Sequence, residues 1–191
     1  KEHFRVHGSF GISAPTGSIK KRDQILTPMG GMPTPRLPYP MQLGSGTPDL
    51  LLGLTAAGWR GAFGWGAQYN AVVRLGDNSS DYQLGNKRAL TAWASYSFVP
   101  EVSAAVRFTG EAVGRIDGQD PMIVAPVQTA NPNSQGGDQV RMGLSLNVAL
   151  PKSLIPGARL AFEYELPLYR DLNGPQLETD SQFTIGVQYS F

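Results

Sequence analysis

The sequence predicts an all-β fold, an antiparallel up-and-down transmembrane β-barrel with eight strands in this chain. Three observations predict it. Apolar residues recur with a period of two almost everywhere, the connections between these segments alternate long and short, and only 16% of residues are charged against 41% hydrophobic. A water-soluble domain averages about 25% charged residues, so something other than water is expected to cover part of this surface. No run approaches the roughly 18 to 20 apolar residues of a membrane-spanning helix, which leaves strands as the expected means of crossing.

The first strand is read from Phe4, Val6, Gly8, Phe10 and Ile12, which alternate with Arg5, His7, Ser9 and Gly11. A second strand at 49–56 is assigned by its neighbours, because Leu50, Leu51 and Leu52 blur its alternation. At 60–75, Phe63, Trp65, Ala67, Tyr69, Ala71 and Val73 oppose Gly64, Gly66, Gln68, Asn70 and Arg74, an aromatic face against a polar one. Leu90 to Phe98 and Val102 to Glu111 follow the same rule, with Trp93 and Arg107 on the polar side. So do Gln139 to Val148 and Arg159 to Leu166, and the last strand sets Phe183, Ile185, Val187, Tyr189 and Phe191 against Gln182, Thr184 and Gln188.

Half-buried strands of a soluble sandwich give the same alternation, so the connections carry the distinction. Long ones are expected at 14–47, 76–86, 116–137 and 169–180, and short ones at 58–61, 99–101 and 151–156. Long loops at one end and short turns at the other, joined by strands of about ten residues, is the plan of an outer-membrane barrel. Trp59, Phe63, Tyr96, Phe98, Tyr189 and Phe191 are expected on the apolar face near the short-turn end, as an interfacial girdle. One domain spanning 1–191 is expected, with 14–47 as a long extracellular or pore-constricting loop.

A formal charge of +1 with scattered Lys and Arg is too small for a nucleic-acid footprint. The absence of Cys removes disulfides and thiolate sites. Lys1-Glu2-His3-Phe4 shows neither an initiating Met nor a signal-peptide pattern, and the chain is expected to be a mature product or a piece of a longer one. No G-x-S-x-G elbow or phosphate loop occurs, and no enzyme activity is expected. His3 and His7 share a strand face about 13 Å apart, too far to bind one metal, so neither metal nor cofactor is expected.

The expected lining of the polar face comprises Arg5, His7, Arg60, Gln68, Arg74, Arg107, Glu111, Arg141, Arg159, Glu163 and Glu165, with Lys87, Arg115 and Asp49 on the same parity. Two readings stand side by side: a structural ladder of Arg–carboxylate pairs, or a lining that favours anions or polar solutes. The Pro-rich stretch 27–48 cannot pair as a central strand. It is either a mobile surface loop or a constriction, with Met29, Met32, Tyr39 and Met41 as the constricting residues.

The stretch Leu37-Pro38-Tyr39-Pro40-Met41-Gln42-Leu43-Gly44-Ser45-Gly46-Thr47-Pro48-Asp49, the segment from Leu168-Tyr169-Arg170-Asp171 to Asp180, and the closing Tyr189-Ser190-Phe191 resemble outer-membrane β-barrel proteins described as transporters of the phenol meta-pathway degradation type. The resemblance covers essentially the whole chain and implies a larger barrel of about twelve strands, of which this chain is the C-terminal portion. It also implies a bacterial outer-membrane location, a bilayer with lipopolysaccharide as surroundings, and a channel or transporter for small solutes, aromatic compounds among them. The alternative is a plugged anchor whose outer loops bind a partner. Tyr189 and Phe191 resemble the signal read by the barrel assembly machinery.

Overall fold

The computed structural model describes residues 2–26, 29–124, 127–151 and 154–190. The chain runs through β1 (Glu2–Ser13), a 3-10 turn η1 (Tyr39–Met41), β2 (Asp49–Arg60), β3 (Phe63–Arg74), β4 (Tyr82–Gln83), β5 (Lys87–Val99) and β6 (Val102–Val113). It continues through β7 (Asp117–Gly118), η2 (Gln128–Ala130), η3 (Pro132–Ser134), β8 (Gly137–Ala149), β9 (Ala158–Leu172) and β10 (Gln182–Tyr189).

Eight long strands form one sheet in the order β1-β2-β3-β5-β6-β8-β9-β10, and every adjacent pair is antiparallel. Each neighbour in space is the next long strand in sequence, the simplest way to join strands through hairpins. Among the described residues β1 and β10 are not paired with each other, so the sheet has two open edges. The short turns at 61–62, 100–101 and 150–157 lie at one end, and the segments 14–48, 75–86, 114–136 and 173–181 lie at the other. This is the alternation that the sequence predicts. Gly61 sits at φ +58, where a side chain is costly, and lets the β2–β3 turn close in two residues.

The register sorts side chains to two faces. One carries Phe10, Leu54, Tyr69, Leu90, Phe108, Leu144, Tyr164 and Ile185, all substantially exposed. Phe10 and Ile12 are 71% and 69% exposed, and Val187 is 74% exposed. The opposite face carries Arg, Glu, Gln, Ser and Gly, and the ion pairs described below. A soluble sheet would bury its apolar face under a second layer; here the buried apolar cluster of Ile19, Tyr39, Tyr82, Ile116, Ile123 and Ala130 lies in the long connections instead.

Those connections fold into a cap. Residues 14–26 and 29–48 fold against each other, with Leu37 N–H donating to Lys21 O at 2.9 Å and Leu43 N–H to Ser18 O at 3.0 Å. The two-residue strands β4 and β7 pair with each other and tie the second connection to the third.

Two strand expectations shift. β2 extends to Arg60 and is regular throughout, since all of its residues pair with both neighbours. β9 runs to Leu172 rather than ending at Leu166, and a bulge opposite Val140 and Arg141 absorbs one extra residue. Leu168 is the extra residue, and Pro167 stands beside it opposite Arg141, where the interrupted ladder tolerates a missing N–H. Phe191 and Thr27 lie outside the described residues.

Candidate functional site: the polar face and its cap

The polar face holds a cross-strand lattice of charges. Lys87 on β5 reaches Glu111 on β6 at 3.1 Å, and Glu111 also accepts from Gln139 Nε2 on β8 at 2.9 Å. Arg107 on β6 spans β8 entirely to bond Glu163 and Glu165 on β9, the latter at 2.8 Å. Arg141 on β8 meets the same Glu165 at 3.0 Å. Arg107 can cross because Gly143 stands opposite it in β8. A Cβ there would lie 3.4 Å from Glu163 Cδ and 3.5 Å from Arg107 Nε, so any larger side chain would wedge the pair apart.

The β1–β3 side of the same face is built differently. Gly53, Gly64 and Gly66 leave backbone bare, and neighbouring side chains lie over it: Trp93 on Gly66, and Ser9 with Asn70 on Gly53. Gln68 donates to Thr55 at 3.0 Å. Near the short-turn end Trp59 stacks on His3 at 5.3 Å and carries Arg5 over its ring at 5.1 Å, a cation–π contact.

At the loop end the cap is pinned by charge. Arg36 bonds Asp120 at 2.5 Å and Ser80 at 3.1 Å, with the Arg36 side chain 10% exposed and Asp120 fully buried. The Asp120 backbone N–H donates to the Tyr39 hydroxyl at 3.1 Å, and Tyr39 meets Tyr82 edge-on at 5.0 Å. Burial raises the hydroxyl pKa of both tyrosines above the ordinary 10.0, and the Asp120 charge adds to the rise; the Asp120 N–H partly offsets it at Tyr39. Asp49, at the start of β2, joins cap to sheet by accepting from Ser45 at 2.9 Å and Thr47 at 2.7 Å while pairing with Arg74 of β3.

Between the cap and the polar face lies a cavity of about 690 Å³, bordered by Gly17, Tyr39, Gln42, Asp49, Arg74 and Lys87. A second cavity of about 370 Å³ continues along β6, β8 and β9 past Glu111, Arg141, Glu165 and Arg170.

The register places Arg5, His7, Gln68, Arg74, Arg107, Glu111, Arg141, Arg159, Glu163 and Glu165 on the polar face, as expected from the sequence. Arg60 departs from expectation. It pairs with Phe63 across the two-residue turn and so shares the apolar face, while Trp59 pairs with Gly64 and moves from the expected aromatic girdle to the polar face. A turn of that length makes odd positions of β2 face with even positions of β3, which parity along one strand cannot reveal. Arg115 lies beyond β6 and is exposed in the cap. Of the expected constriction residues only Tyr39 is buried; Met29, Met32 and Met41 are 95%, 60% and 56% exposed and do not border the cavity.

Arg170 was not expected on the polar face. The β9 bulge turns it there, where it bonds Glu178 and, at 3.7 Å, Asp180. Pro167 is the sequence signal that marks this bulge. The Arg36–Asp120 pin joins residues 84 positions apart and left no local signal. Compared with known proteins, the chain matches no family model and no curated protein sequence.

Proposed function

We propose that this sheet is the wall of a bacterial outer-membrane β-barrel, and that the barrel is a channel for small solutes whose mouth is narrowed by the folded 14–48 segment. The observation that carries this reading is the pairing of an exposed apolar face with a charge-laced polar face on strands of 12 or more residues in seven of the eight cases. Such strands exceed the roughly 9 to 11 residues that a tilted strand needs to cross a bilayer. The division of long connections and short turns between opposite ends supports the same reading. A bilayer offers no water to the unpaired N–H and C=O groups of β1 and β10, so both edges must be paired in the membrane. Closure in a barrel of about twelve strands, as the resemblance implies, satisfies them.

Aromatic compounds are the solutes the resemblance points to, and the rings of Trp59 and Trp93 on the polar face are compatible with them. The plugged anchor remains the second reading, favoured by the Arg107–Glu163–Glu165–Arg141 lattice, which fills part of the wall. The full chain reconstituted in planar bilayers separates the two. Discrete conductance steps that grow when residues 18–43 are replaced by a short Gly-Ser linker support the channel; silence before and after the replacement supports the anchor.

A further inference from the structure

We infer that the space beneath the cap admits small polar solutes of zero net charge, neutral or zwitterionic, in preference to ions, and that the Lys87–Glu111 pair controls this preference. The inference rests on the channel reading above and specifies its solute class. The two cavities, about 690 and 370 Å³, meet at Lys87, Val113, Gly136 and Gln176. Each falls in the range of about 300–1,000 Å³ typical of small-molecule sites.

Every cation bordering them has a carboxylate partner that also borders them: Arg74 with Asp49, Lys87 with Glu111, Arg141 with Glu165, and Arg170 with Glu178. Four pairs of opposite charge leave no net charge along this wall. A single-signed ion entering the space would shed water without a net counter-charge to replace it. A neutral polar molecule meets no such penalty, and a zwitterion can set its two charges against the two members of a pair.

Lys87 is the control point because it borders both cavities and presents its side chain to them, 46% exposed, while Glu111 is only 13% exposed. Removing either charge unbalances the stretch where the two cavities meet. Of the remaining pairs, Arg74–Asp49 and Arg141–Glu165 hold carboxylates only 4% and 11% exposed, while Arg170–Glu178, with Glu178 56% exposed, borders the second cavity alone.

The test uses the full chain in planar bilayers under a potassium chloride gradient, with liposome swelling in alanine, a zwitterion, and in lactate, an anion of similar size. Wild type is expected to reverse near zero voltage and to pass alanine several-fold faster than lactate. Lys87→Gln should shift reversal toward cation selectivity, Glu111→Gln toward anion selectivity, and the double variant should return near zero. A wild type that conducts but strongly prefers one ion sign, or single variants that leave reversal unmoved, overturns the inference and leaves the channel reading standing. Absence of conductance in wild type and in the cap-replaced variant overturns both.

Discussion

Gly143 and Leu144 are neighbours in β8 with opposite obligations. Gly143 faces the lattice and is small so that Arg107 can reach Glu163 and Glu165; Leu144 faces out, 50% exposed, between Val106 and Tyr164. If the sheet is the membrane wall proposed above, Leu144→Arg should weaken folding into lipid by about 2–4 kcal/mol, because it would set a charge against hydrocarbon near mid-strand. Ser145→Arg, on the polar face beside Glu163, should cost much less. Refolding titrations into liposomes compare them, and equal losses would refute the assignment of faces. Gly143→Leu should separate Arg107 from its two carboxylates and cost about 1–3 kcal/mol in the same titration, whereas Gly186→Leu, which meets only Ala161 Cβ at 3.8 Å, should be nearly neutral.

At the scale of elements the cap is the unit with its own core and its own charge. Asp120 is fully buried and Arg36 nearly so, and a buried charge stripped of its partner costs about 3–5 kcal/mol. Arg36→Met should therefore open the cap while leaving the strands paired. Limited proteolysis is expected to cut within 14–48 in this variant long before it cuts the sheet, and an unchanged cleavage pattern would show that the pin does not hold the loop. The cap also carries a pH signature. Tyr39 and Tyr82 favour their neutral forms when folded, so their contribution is fully present below about pH 10, their unfolded value, and is lost as pH rises through the raised folded values. In an alkaline absorbance titration the difference between wild type and Tyr39→Phe should report a phenol that ionises above the ordinary 10.0, with cap opening following it. Ionisation of Tyr39 at the ordinary value would contradict the packing described.

For the whole molecule the decisive property is sidedness. The absence of cysteine makes single-cysteine labelling unambiguous. Asp77→Cys at the cap end and Glu101→Cys at the opposite turn are both on exposed positions. In intact cells a membrane-impermeant maleimide is expected to label position 77 and to reach position 101 only after the outer membrane is permeabilised. Equal labelling of both in intact cells would remove the transmembrane reading, since a soluble sheet has no sides of this kind.

The sequence by itself determined the strands and their order, because period-two alternation is a local pattern and short hairpin turns leave antiparallel neighbours little choice. Val140, Met142, Leu144, Leu146 and Val148 announce both a strand and its apolar face without any other part of the chain. What lies across a turn or a bulge was not legible in this way. Trp59 and Arg60 exchanged their expected faces through the two residues of one turn, and Arg170 reached the polar face through the bulge at Pro167. Only the tertiary structure decided that 14–48 is a packed cap rather than a loose loop, with its methionines outward. Its fixing contacts, Arg36 with Asp120, Tyr39 with Tyr82 and Asn78 with Ser45, join distant segments whose meeting depends on the sheet bringing four loop bases to one end. No periodicity encodes such contacts; the geometry of the strands beneath them does.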